Sequence, residues 1–202
     1  MKANEMEQQL YQVASLQQGF FTARQAKEVG YADSRFSYHV RKGRWIREGR
    51  GIYRLANYPI GDRPDLVYWS LWSSNQKGEV QGVFSHETAL AIHELSDVMP
   101  AKYHLSVPKG FRKYHPPPEN LVLYFNKLES QEVLEFEGYM VTTPEKTIYD
   151  VLLDEKVSEE FVTHAILDGL NKGVISKSRV MQLMGQLNSD RAKRIFNEMG
   201  KK

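Results

Sequence analysis

Apolar positions near the start of the chain recur at helical spacing and then switch to alternation. Met6, Leu10, Val13 and Ala14 stand three and four apart, which predicts an amphipathic helix from Asn4 to Gln18, closed by Gly19. In FFTARQAKEVGY, Thr22 is the expected N-cap, Ala23 to Val29 a short helix and Gly30 its stop. ADSRFSYHVRKG predicts a second short helix, capped by Asp33 or Ser34 and ended by Gly43, with Phe36 and Val40 one turn apart on one face. RWIREGRGIYRL then alternates around Glu48-Gly49-Arg50-Gly51, which predicts a two-stranded hairpin on a glycine turn. Trp45, Ile46, Ile52 and Tyr53 would pack it onto the helices.

NYPIGDRP, residues 57–64, has no periodicity and is rich in breakers, so a boundary is expected there, giving domains 1–58 and 59–202. Pro64 suits the first position of a helix reaching about Ser74. Leu66, Val67, Trp69, Ser70 and Trp72 make that helix apolar over much of its circumference, hence largely buried. SHETALAIHELS predicts a further helix, with Ser85 as N-cap and Ala89, Leu90, Ala91 and Ile92 as its apolar set. KYHLSV and NLVLYF read as strands separated by the loop PKGFRKYHPPPE, and EVLEFEG with YMVTT as a hairpin turning at Glu137-Gly138. From Pro144 four helices are expected, opened by Thr143, Ser158, Ser176 and Ser189, the last running to Gly200. There is no internal repeat. The expected fold class is α+β: a small helical domain with a wing, then a modest sheet framed by helices and a helical C-terminus.

Charge changes this picture. Residues 1–60 carry ten Lys/Arg against five Asp/Glu, whereas the whole chain has a net charge of only +2. Seven of those cations fall in residues 34–55, on the second short helix and the hairpin. Two short helices joined by a turn form a helix-turn-helix, and a hairpin directly after makes it a winged one. With the charge on its last two parts, the motif predicts a front end that binds double-stranded DNA. Phe36, Val40 and His39 form the inward face of the recognition helix. Arg35, Ser37 and Tyr38, in its first turns, are candidates for base edges, and Arg41 and Lys42 suit phosphates. Arg47 and Arg50 belong to the wing, with Arg50 at a glycine-flanked tip that can approach a backbone or enter a minor groove. Arg44 could meet phosphate or solvent. The bland reading of any basic run is a solvated face; the order of elements and the interleaved aromatics favour DNA. Lys109, Arg112 and Lys113 make a possible secondary basic patch.

Catalytic patterns fare poorly. The chain has no cysteine, so disulfides, thiolate metal sites and Cys nucleophiles are excluded. No apolar run approaches the roughly 18 residues of a membrane helix, and the first twenty residues lack a secretory h-region, so a cytoplasmic protein is expected. His86-Glu87 fails the zincin pattern because position 90 is Leu. His86 and His93, two turns apart, lack a neighbouring third ligand and read as structural. Ser106-Val-Pro-Lys109 matches S-x-x-K only formally, since it follows a strand. Glu145, Lys146 and Asp150 raise a metal-dependent nuclease in residues 59–202 as the alternative reading, but Glu145 and Asp150, five apart, share a helix face poorly. No catalytic residue, metal or cofactor is expected.

Four segments together resemble the AbiEi family: TARQAKEVGYADSRFSYHVRKGRWIREGRGIYRL, SHETALAIHELSDVMP, HLSVPKGFR and VTTPEKTIYDVL. They spread over roughly residues 20–155, and GIYRL and TTPEKTIYD are the more specific. Members are antitoxin and regulator components of type IV toxin–antitoxin and abortive-infection systems. The resemblance implies an N-terminal winged helix-turn-helix that represses its own operon, and a C-terminal domain that counters a nucleotidyltransferase-type toxin. It carries DNA contact to Arg35, Ser37, Tyr38, Arg41, Lys42, Arg47 and Arg50, and supplies no residue-level motif for antitoxicity. One wing domain covers a short half-site, so a homodimer, or monomers on repeated sites, would be expected.

Overall fold

The structure is a computed structural model that describes residues 3–97, 99–187 and 189–199. The chain is α+β, as its patterning predicts, and forms two compact units. One comprises 3–82 with the hairpin tip 135–140; the other comprises 83–134 with 141–199.

In the first unit, α1 (Ala3–Ser15) buries Leu10 and Ala14, one turn apart. It stops short of the predicted Gln18 because Gln18 and Gly19 take positive φ, 50° and 85°. A Cβ on Gly19 would come within 2.6–2.8 Å of the Tyr58 side chain, so the turn requires glycine. β1 (Phe20–Thr22) follows and pairs antiparallel with β3 (Ile52–Leu55), Phe21 opposite Tyr53. This strand is invisible in the sequence, since three residues display no period of two. Thr22 caps α2 (Ala23–Glu28) as predicted: its hydroxyl accepts from the Gln25 N–H at 3.2 Å, and the Gln25 side chain accepts from the Thr22 N–H at 2.8 Å.

A single 3₁₀ turn, Asp33–Arg35, leads into α3 (Phe36–Arg41). Neither Asp33 nor Ser34 caps it. The tightened turn satisfies the Arg35 N–H with the Ala32 carbonyl at 2.9 Å, and the Asp33 carboxylate lies 3.2 Å from Lys27 Nζ instead. β2 (Trp45–Gly49) and β3 form the predicted hairpin, with β3 central in a sheet of order β1-β3-β2. The register slips between Arg47 and Gly49, a bulge at the entrance to the turn. Trp45, Ile52 and Tyr53 are buried as expected. Ile46, expected beside them, is 37% exposed, because strand alternation turns it away from the face that Trp45 buries.

Aromatic rings hold this unit together. Phe21 meets Trp45 edge-on at 4.9 Å and stacks on Tyr53 at 5.8 Å, and Phe36 lies 5.4 Å from Trp45. α4 (Pro64–Trp72) begins at Pro64 as predicted, buries Leu66, Val67, Ser70 and Leu71, and packs against β1 and β3. Trp69 and Trp72 are half-buried. Residues 59–82, expected with the second domain, therefore belong to the first unit.

In the remainder, β4 (Val83–Phe84), α5 (His86–Ile92), β5 (Tyr103–Val107), β6 (Leu121–Phe125), β7 (Val133–Phe136) and β8 (Tyr139–Thr142) precede α6 (Pro144–Leu153), α7 (Glu159–Asn171), α8 (Lys177–Gln186) and α9 (Asp190–Met199). The sheet order is β6-β5-β4-β8-β7. β5 runs parallel to β6, and two-residue β4 runs antiparallel to β5 and parallel to β8. The expected turn at Gly138 is present, with φ 89°. Thr143, Ser158 and Ser176 cap α6, α7 and α8 by accepting from the N–H groups of Lys146, Phe161 and Arg179. Ser85 occupies the N-cap position of α5 but does not cap; its hydroxyl accepts from Ser106 Oγ at 2.9 Å. Leu90, Ile148, Val151, Val162, Ile166 and Ile195 form the helical core. The predicted end of α9 at Gly200 lies outside the described residues.

Candidate nucleic-acid interface

α3 is amphipathic in the manner a recognition helix requires. Phe36 and His39 are buried, His39 stacking on Trp45 at 4.6 Å, and Val40 is half-buried. Arg35, Ser37, Tyr38, Arg41 and Lys42 are all exposed on the remaining surface. The wing adds Arg47 and Arg50, also exposed, and Gly51 at the turn takes φ 73°. All seven sequence-predicted contact residues thus lie on one continuous stretch, from the turn before α3 through the wing tip.

Pairing sorts the cations further. Arg24 is bound to Glu28 at 2.8 Å, Lys27 to Asp33 at 3.2 Å and Arg54 to Glu48 at 2.9 Å. The side chains of Arg35, Arg41, Lys42 and Arg47 have no hydrogen-bond or ion-pair partner among the described residues. An unpaired exposed cation keeps its full charge for an incoming phosphate, whereas a paired one must first lose its partner. The Glu48–Arg54 pair removes one of the seven basic residues of the stretch, which composition alone could not reveal. The strand β1 behind the wing is the other feature the sequence conceals: its pairing with β3 makes the wing the edge of a three-stranded sheet.

The secondary patch is differently used. Phe111 is buried and anchors its loop, Arg112 donates to the Phe111 carbonyl at 2.8 Å, and Lys113 Nζ lies 5.8 Å from the Phe111 ring centroid. Burial lowers the Lys113 pKa. Only Lys109 of the three extends freely from the loop as an exposed chain without such a contact among the described residues.

The histidines and carboxylates of the second unit are engaged internally. His93 Nε2 donates to the Thr142 carbonyl at 2.7 Å. His86, at φ 51°, stacks on Tyr124 at 3.5 Å and faces Ser85 Oγ through Nδ1 at 2.9 Å. Burial pushes its pKa down to about 3, with His104 and Lys146 adding to the shift and Asp154 opposing it. The Tyr124 hydroxyl donates to Asp154 at 2.9 Å; burial first and that hydrogen bond second raise its pKa well above the usual phenol range. Asp150, nearly buried, is ion-paired with Lys146 one turn earlier on α6, and burial raises its pKa against that pairing. Among the described residues no three His, Asp or Glu side chains converge as metal ligands.

A helix-turn-helix backed by a three-stranded wing sheet, with unpaired cations around α3, has the form of a winged helix-turn-helix. The comparison with known families agrees: residues 8–56, from α1 through the wing, match the AbiEi_4 model, described as transcriptional regulator, AbiEi antitoxin. The expected resemblance is thus shown for this segment, and residues 57–202 lie outside the match. No curated protein matches the chain. Among the described residues, no helix is long and apolar enough to cross a membrane.

Proposed function

We propose that this protein is a sequence-specific transcriptional repressor of its own operon and the antitoxin of a type IV toxin–antitoxin system with a nucleotidyltransferase-type toxin. The observation that carries the reading is the set of exposed cations without side-chain partners, Arg35, Arg41 and Lys42 around α3 and Arg47 on the wing, set on a segment similar to AbiEi regulators. Arg35, Ser37 and Tyr38 read base edges in the major groove; Arg41 and Lys42 hold phosphates; Arg47 and Arg50 hold the flanking backbone. The protein works in the cytoplasm, without catalysis, as a homodimer or as monomers on repeated sites. Antitoxicity resides in the second unit.

Footprinting on the DNA upstream of its own gene tests the first part. The expected result is a discrete protected repeat that Arg41→Ala abolishes and Arg35→Ala makes less sequence-selective, by about 1–3 kcal/mol where it meets guanine. Uniform weak protection, equal on unrelated DNA, would refute the repressor reading. Co-expression with the product of the adjacent gene tests the second part: the chain restores growth, and a variant weakened in DNA affinity, Arg41→Ala, restores it equally.

A further inference from the structure

The wing tip is tied down by contacts that its own two strands do not supply. Gly51 takes φ 73°, and its carbonyl accepts from the Ala23 N–H at 2.8 Å. Ala23 opens α2, where a backbone N–H has no acceptor within its own helix. The tip of the wing therefore satisfies an orphan donor of the helix-turn-helix.

Gly49, on the other side of Arg50, is glycine for a different reason. Its φ is not positive, so no left-handed backbone calls for glycine there. Tyr68 of α4 does. A Cβ on Gly49 would lie 2.9 Å from Cε2 and 3.0 Å from Cζ of the Tyr68 ring, and closer still to the hydroxyl oxygen. Carbon atoms pack best at about 3.5–4.0 Å, so the ring occupies the space a side chain would need. Trp69 meets that ring edge-on at 4.9 Å. Phe20, Glu48, Arg54 and Tyr68 line one depression between α4 and the wing sheet, where Glu48 pairs with Arg54.

α4 thus seats on the wing at a residue whose missing side chain leaves room for it. The seat adjoins the bulge between Arg47 and Gly49. A bulge re-aims the side chains around it, so the way Gly49 is held sets the direction of Arg47 before it and Arg50 after it.

We infer that Tyr68 is a positioning residue for DNA: seated on Gly49, it fixes the wing at the angle at which Arg47 and Arg50 meet the phosphate backbone. This rests on the repressor reading above. It extends that reading to α4, which lies outside the segment similar to AbiEi regulators.

The test uses the full chain and a labelled duplex from upstream of its gene, titrated by anisotropy at several salt concentrations. Tyr68→Ala is expected to lose the two wing contacts, flattening the slope of log K against log salt from about −3.6 to about −1.8. Affinity then falls only about 12-fold between 50 and 200 mM salt, where the wild type falls about 150-fold. A variant that is merely less folded binds more weakly by one factor at every salt concentration, which leaves the slope unchanged. Tyr68→Phe keeps the ring on Gly49 and keeps the wild-type slope. Gly49→Ala flattens the slope as Tyr68→Ala does, and adding it to Tyr68→Ala changes Kd by less than about twofold, because both act on one contact. A Tyr68→Ala variant with the wild-type slope overturns the inference. So does a Gly49→Ala loss that is undiminished in the Tyr68→Ala background.

Hydrogen exchange of the Ala23 amide reads the same seat without DNA. It should quicken about tenfold in Tyr68→Ala as the wing tip opens, while the Ala14 amide in α1 keeps its rate, which separates wing opening from global unfolding. A wild-type chain with no affinity for the duplex refutes the repressor reading, whatever Tyr68 does. An Ala23 amide unmoved in Tyr68→Ala overturns the inference, whatever the DNA shows.

Discussion

Arg41→Ala offers a quantitative test of the proposed interface, because the number of side chains assigned to phosphates fixes the expected salt dependence. Four side chains are assigned to phosphates: Arg41 and Lys42 at the end of α3, and Arg47 and Arg50 on the wing. Each neutralised phosphate contributes about −0.9 to the slope of log K against log salt, so four give about −3.6, and affinity falls about 150-fold between 50 and 200 mM salt. Removing Arg41 reduces the slope to about −2.7 and that loss to about 40-fold, because fewer counterions are released. Lys27→Ala is the control. Lys27 lies in the same motif, but its ammonium is already matched by Asp33 at 3.2 Å, so its removal leaves the slope unchanged. The measurement is fluorescence anisotropy of a labelled upstream duplex, titrated at several salt concentrations with each variant. A wild-type slope shallower than about −2 would refute the count. So would a Lys27→Ala slope flattened as much as that of Arg41→Ala, since pairing would then not separate binding cations from spectators.

Three further outcomes follow from the packing. Phe21 is fully buried among Trp45 and Tyr53, so Phe21→Ala should cost about 3–5 kcal/mol of the first unit's stability; urea unfolding followed by tryptophan fluorescence reports that unit, which holds all three tryptophans, and a loss below about 1 kcal/mol would contradict the assigned core. Gly19→Ala forces a side chain into φ 85° and against the Tyr58 ring, with a loss of about 1–3 kcal/mol expected in the same assay; an unchanged midpoint would contradict the turn. His86 has its pKa lowered from 6.5 to about 3 by burial, so the unfolded chain binds the extra proton. Its contribution is fully present above pH 6.5 and declines as pH falls toward 3, by about 1 kcal/mol per pH unit. Stability measured from pH 7.5 to 4.5 should show that decline, and His86→Asn, which tolerates the positive φ, should flatten it; an equally steep decline in the variant would show that other groups are responsible.

Much of the molecule is legible without a structure, and the legible parts are local. Thr22, Thr143, Ser158 and Ser176 cap the helices they precede because a hydroxyl and an N–H three residues on meet through a single turn of backbone. The α3 face is readable from the spacing of Phe36, His39 and Val40, and the wing turn from Gly49-Arg50-Gly51. These local patterns determined the α+β class, the order of elements at the front and the placement of Arg35, Ser37, Tyr38, Arg41, Lys42, Arg47 and Arg50 on exposed surface.

What only the tertiary structure decided depends on partners distant in sequence. β1 and β4, at three and two residues, are too short to carry a pattern and exist as strands through β3, β5 and β8. α4 looks like a helix in either domain; burial against β1 and β3 assigns it to the first unit. Asp33 and Ser85 have cap chemistry at cap positions, yet Lys27 and Ser106 take their oxygens, an outcome set by competing partners rather than by local spacing. The seven cations of residues 34–55 look alike in a charge count, and folding alone separates Arg54, matched by Glu48, from Arg35, Arg41, Lys42 and Arg47, whose side chains are left open to a phosphate. Helix period and capping act over one turn of chain, so a sequence displays them. Strand pairing, burial and ion pairing act across space, so only the folded chain determines them.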